Sequence, residues 1–120
     1  MEFEKTERFY RAVLPGGEYW KEDRSLSSAA FKDKKGLSTD RQMGRAHKEC
    51  IAFISRRLRG SIVSVSYENC QEIEALVKYD PVTENIFHTV IIHSAESPCL
   101  TKAQARNLAK LARLDYVTKK

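Results

Sequence analysis

Several things are scarce in this 120-residue chain, and each shortage excludes a class of protein. No apolar run approaches the roughly 18 residues of a transmembrane helix, so no membrane span is expected. Met1-Glu2-Phe3-Glu4-Lys5 is charged and lacks an apolar core, so no secretory signal is expected and a cytoplasmic location is. Five glycines and three prolines exclude a collagen-like repeat, and three cysteines exclude a disulfide-dense secreted scaffold. Cys50, Cys70 and Cys99 form no C-x-x-C pair and no zinc spacing with His47, His88 or His93, so reduced thiols and no metal site are expected. There is no P-loop, no G-x-G-x-x-G, no H-E-x-x-H and no G-x-S-x-G, so no cofactor is expected either.

What is present is an ordinary globular composition, 42% hydrophobic and 31% charged, with a net charge of +5. The length suits one domain over 1–120 that buries a real core. Arg8–Leu14 reads as a first strand ended by Pro15-Gly16-Gly17, with Arg11 inside it needing a carboxylate or a ligand if it faces inward. Glu18–Arg24 reads as a loop, Ser27–Lys32 as a short strand and Asp33–Gly36 as a turn. Met43, Ala46, His47, Cys50, Ile51, Ile54 and Leu58 share one face at helical spacing. With Thr39 as N-cap and Gln42 reaching back, this predicts a helix over 40–58, closed by Gly60.

Ser61–Tyr67 and Ile73–Tyr79 alternate, and Ile86–His93 is apolar on both faces, as an inner strand is. Thr101 and Gln104 form a capping box, with Leu100 as a staple, predicting a last helix over 102–115. The fold class expected is α+β: an antiparallel sheet of four to five strands, its last three a meander, with two helices packed on one face.

Charge is segregated along the chain. Residues 41–59 carry net +5, 61–97 net −5 and 98–120 net +5. Arg41, Arg45, Lys48 and Arg56 lie off the apolar stripe of the first helix; Lys102, Arg106, Lys110 and Arg113 form a row on the last. If both helices cover one face, these side chains merge into a positive surface that attracts phosphate backbones. The competing reading is an ordinary solvated helix surface. The expectation is a non-catalytic binding module for a protein partner or nucleic acid, or a homo-oligomer in which the acidic strand edge meets basic helices of another copy.

The alternative is a small enzyme acting on a phosphate-containing ligand, with His88 as base and Arg41 and Ser28 near the anion. The segments F-Y-R-A-V-L-P, S-S-A-A-F-K-D, L-S-T-D-R and Y-D-P-V-T-E-N-I-F-H-T-V-I, spread over residues 9–92, resemble a group of short bacterial proteins of unassigned function. That resemblance implies no activity, but it singles out Ser27, Ser28, Phe31, Asp40, Arg41, Asn85 and His88.

Overall fold

The computed structural model describes residues 3–118. Six strands form one sheet: β1 Arg8–Val13, β2 Leu37–Arg41, β3 Ser61–Ser66, β4 Leu76–Tyr79, β5 His88–Ile92 and β6 Arg113–Tyr116. Their spatial order is β4-β5-β2-β1-β3-β6, and every neighbouring pair is antiparallel. Three α-helices, α1 His47–Arg57, α2 Tyr67–Glu72 and α3 Lys102–Leu111, and a 3-10 helix at Ser28–Phe31 cover it.

β1 sits inside the sheet, and side chains alternate along it. Phe9 and Val13 belong to the larger core with Phe31, Leu37, Val63, Val65, Cys70, Ile91, Leu100, Ala105 and Leu108. Tyr10 belongs to a second cluster with Cys50, Ile54 and Ile62. Hence α2, α3 and the 3-10 helix pack on one face of the sheet, and α1 packs on the other. The expected pair of helices on a single face is therefore corrected. A strand apolar on both sides needs a layer over each, and only α1 is left for the second.

Other boundaries moved for local reasons. Leu37–Arg41 is a strand rather than the start of a helix: Thr39 Oγ1 donates to the Thr89 carbonyl at 2.9 Å instead of capping. Met43 and Gly44, at φ 51° and 76°, turn the chain before α1 can begin. Ser27–Lys32 does not extend: its core is the 3-10 helix, which puts Ala30 and Phe31 into the main core. The alternation through Tyr67 hid α2, whose N-cap Ser66 accepts from Asn69 N–H while Asn69 Oδ1 accepts from Ser66 N–H. With α2 in between, β3 does not pair with β4, so the three-strand meander reduces to the β4–β5 hairpin.

The Thr101–Gln104 capping box forms as expected, at 3.1 and 2.9 Å. α3 ends four residues before the predicted 115, because Arg113–Tyr116 pairs with β3. β5 lies between β4 and β2, the inner position its two-sided apolar pattern predicts.

α1 ends at Arg57 on an extended Leu58 rather than on Gly60, which lies three residues past the helix at φ +113°. A Cβ there would lie 2.8 Å from the Val13 carbonyl carbon, so neither its conformation nor its space suits a side chain. Gly60→Ala should lower unfolding free energy by roughly 1–3 kcal/mol, seen as a lower urea midpoint at unchanged slope. Gly17→Ala, where nothing lies within 4 Å of the added carbon, should leave the midpoint near wild type. Equal midpoints for both variants would show that the Gly60 turn relaxes freely.

Candidate functional site

Three of the sequence-selected residues meet under α1. Asp40 and His88 stand opposite each other in the β2–β5 register, and both point to the α1 side. Asn85 Nδ2 donates to Asp40 Oδ1 at 2.7 Å, and Arg57 Nη2 donates to Asp40 Oδ2 at 2.5 Å. Asp40 is nearly buried, so both its oxygens are satisfied by this pair. Asn85 Oδ1 in turn accepts from Phe87 N–H, which sets the loop that leads into β5.

His88 is held on both nitrogens. Nδ1 lies 2.9 Å from the Asp80 carbonyl and 3.2 Å from Asp80 Oδ2. Neither oxygen has a proton to give, so Nδ1 carries the N–H. Nε2 then offers its lone pair to Ser38, whose Oγ is 3.3 Å away. Ser38 precedes Asp40 by two residues and so shares its face of β2. Ser38, Asp40, Asn85 and His88 line a cavity of about 130 Å³ with Ala12, Ile54, Arg57 and Leu58. The sequence carried no signal for Arg57 or Asp80: one sits on a helix, the other in a turn, and only the fold brings them to His88.

The remaining candidates lie elsewhere. Arg41 projects from the opposite face of β2, where it pairs bidentately with Glu7 at 2.8 Å and stacks on Phe3 and Tyr79. Ser28 and Phe31 also belong to that face, Phe31 as a buried core residue. Ser27 Oγ donates to the Glu18 carbonyl. A phosphate site joining His88 to Arg41 and Ser28 is therefore corrected: the sheet separates them. Arg11 does face inward, and backbone carbonyls rather than a carboxylate receive it, Ala30 at 3.1 Å and Ser38 at 3.0 Å. Burial holds its pKa below the usual arginine value, opposed by nearby Asp33.

The eight basic residues do not form one surface. Lys48 and Arg56 lie on α1, and Lys102, Arg106 and Lys110 on α3, on opposite sides of the sheet. Arg45 is stacked 3.5 Å over the Phe87 ring and donates to the Arg41 and Gln42 carbonyls. Arg113 is in β6, paired with the Asp115 carboxylate.

Sequence reasoning missed a groove that does concentrate positive charge. Between the Trp20–Ser28 segment and the second half of α3 lies an open depression of about 410 Å³. Lys21, Arg24, Arg106 and Lys110 line it, together with Trp20, Ser27, Ser28 and Ala109, and none of its lining residues is acidic. Trp20 and Leu26 close the segment through a β-bridge. The indole N–H donates to the Leu14 carbonyl at 3.0 Å, so the ring is pinned as a wall. Asp23 faces its own turn, accepting from the Ser25 N–H and hydroxyl, and those bonds hold its carboxyl below the usual range. The only signals available beforehand were the aromatic pair Tyr19-Trp20 and the row on α3.

With both sites described, comparison with known proteins adds nothing: the chain matches no family model, no curated protein and no solved structure. Among the described residues, no group of three or more His, Cys, Asp or Glu side chains is placed to hold a metal ion, and no helix is long and apolar enough to cross a membrane.

A polar chain also ties α1 to β6. Tyr10 Oη lies 2.9 Å from His47 Nδ1, and His47 Nε2 lies 3.9 Å from Asp115 Oδ1. Burial, followed by nearby Cys50 and Asp115, pushes the Tyr10 hydroxyl up to about 12. Burial alone pushes the Cys70 thiol up to about 12. The unfolded chain releases these protons earlier, near 10.0 and 9.0. Both groups therefore favour folding in full below about pH 9, and their contribution is lost as pH rises toward 12. The urea midpoint should fall across that window, and Tyr10→Phe should remove part of the fall. A midpoint independent of pH there would contradict the burial of both groups.

Proposed function

We propose that the protein is a binding module that holds single-stranded nucleic acid in the groove between the Trp20–Ser28 segment and α3. The observation that carries this reading is the lining itself: four cations, no carboxylate and one pinned indole. Lys21, Arg24, Arg106 and Lys110 match a run of phosphates, and the attraction is strengthened because no neighbouring acid in the groove cancels it. Trp20 supplies the flat apolar surface on which a base stacks, a contact worth roughly 1–3 kcal/mol per base. An acidic peptide meets the same cations but has no use for the indole wall, which ranks it second.

Proximity of small groups completes the fit. Ser27 and Ser28 also line the groove, where the Ser28 hydroxyl can donate to sugar and phosphate oxygens. The basic residues of α1 stand on the far side of the sheet, so Lys48 and Arg56 take no part in this groove.

Trp20 is the single tryptophan of the chain, which makes its fluorescence a direct reporter of the groove. Titration with an unstructured oligonucleotide should quench it. Affinity should fall about fifty-fold between 50 and 200 mM salt if all four cations meet phosphate, since each contributes about 0.7 to the logarithmic slope on single strands. Arg106→Ala with Lys110→Ala should lower that slope by about 1.4. Absence of quenching at low salt, or a slope that survives the double substitution, would remove nucleic acid as the ligand; quenching by a poly-glutamate peptide alone would select the protein-partner reading.

A further inference from the structure

We infer that Ser38, His88 and Asp80 form an acyl-transfer centre, with Ser38 as nucleophile, His88 as general base and Asp80 as the positioning residue. This site lies on the α1 side of the sheet, away from the basic groove, and does not depend on the function proposed for that groove. Its evidence is the hydrogen-bond relay. Ser38 Oγ is 3.3 Å from His88 Nε2, and His88 Nδ1, which donates to the Asp80 backbone carbonyl, lies 3.2 Å from the carboxylate oxygen Asp80 Oδ2. Both distances fall within the reach expected of a nucleophile, its base and the group that orients the base before substrate binds. The tautomer is the productive one, because Asp80 presents only acceptors to Nδ1 and so leaves Nε2 free to take a proton.

The surroundings suit the chemistry. Ser38 is exposed on β2, a strand held on both sides by β1 and β5, so the nucleophile rests on a rigid element. Arg57 lines the same cavity and is fixed by Asp40 at 2.5 Å, so its remaining guanidinium N–H groups are held in place as donors to a developing oxyanion. Ala12, Ile54 and Leu58 give the cavity apolar walls, and its volume of about 130 Å³ admits only a small group. The substrate class this selects is an ester of a short-chain carboxylic acid, its alcohol portion left outside in solvent.

The reaction balances without a cofactor. Ser38 Oγ forms a bond to the carbonyl carbon of the ester as its proton passes to His88 Nε2. The C–O bond to the alcohol then breaks, and the alkoxide leaves with that proton, giving the alcohol and an acylated Ser38. Water attacks the acyl carbon while His88 Nε2 takes one of its protons. That proton returns to Ser38 Oγ as the carboxylic acid departs. The net change is hydrolysis of one ester by one water.

The test uses the full chain and two probes, a fluorophosphonate and p-nitrophenyl acetate. The wild-type protein should be labelled by the fluorophosphonate, with the modification mapping to Ser38 by mass spectrometry. Ser38→Ala should abolish labelling, and His88→Gln should slow both reactions by roughly a hundredfold. In Asp80→Asn the backbone carbonyl still holds Nδ1, so kcat for p-nitrophenyl acetate should fall about tenfold with KM unchanged; a merely structural role would lower the folded fraction instead. No labelling of the folded wild-type chain, a label that maps to any residue but Ser38, or labelling unaffected by His88→Gln would each overturn the assignment. Mapping the label on the wild-type chain requires no substitution, so it decides the assignment even where a variant fails to fold.

Discussion

Everything in this fold follows from a central strand with two apolar sides. β1 lies inside the sheet, and its alternation sends Phe9 and Val13 one way and Tyr10 the other. Each side must be removed from water, at roughly 25 cal/mol for every Å² of apolar surface covered. No single helical layer can do this, so α2, α3 and the 3-10 helix take one face and α1 the other. Both proposed sites inherit their locations from this division. The basic groove forms where α3 leaves a gap beside the Trp20–Ser28 segment. The Ser38 relay borders a small cavity that β2, α1 and His88 enclose beside Arg57.

The same division explains why net charge along the chain is a poor guide to surface charge. Of the cations between residues 41 and 59, several are engaged in holding the fold. Arg41 is clamped by Glu7 between two aromatic rings, Arg45 is stacked on Phe87, and Arg57 neutralises the buried carboxylate of Asp40. A buried carboxylate needs such a partner, since charge taken out of water without one is strongly unfavourable. Lys21 and Arg24 come from a segment whose charges balance along the chain, yet they line the groove while Glu22 and Asp23 are not among its lining residues. Spatial segregation of charge, rather than its tally by segment, makes the surface.

Local signals in the sequence were sound where a single element satisfied them. The capping box at Thr101 and Gln104 and the inner position of β5 depend on neighbours within a few residues or on one strand's own pattern. They failed where two local solutions competed. Thr39-Asp40-Arg41-Gln42 suits a capping box as well as a strand, and long-range pairing with β1 and β5 decided for the strand. Ser61–Tyr67 suits a strand throughout, until Ser66 and Asn69 cap α2. The periodicity of α3 runs on to Asp115, yet pairing with β3 ends the helix at Leu111.

The amino-acid sequence on its own determined the α+β class and the position of most elements, because hydrophobic period and turn chemistry act over short distances. Only the tertiary structure decided which face each element covers and which polar side chains meet. Sheet order and helix placement are set by burial summed over many remote contacts. For that reason Ser38, Asp80 and Arg57 converge on His88, Arg41 departs to the other face, and Trp20 comes to stand beside the cations of α3.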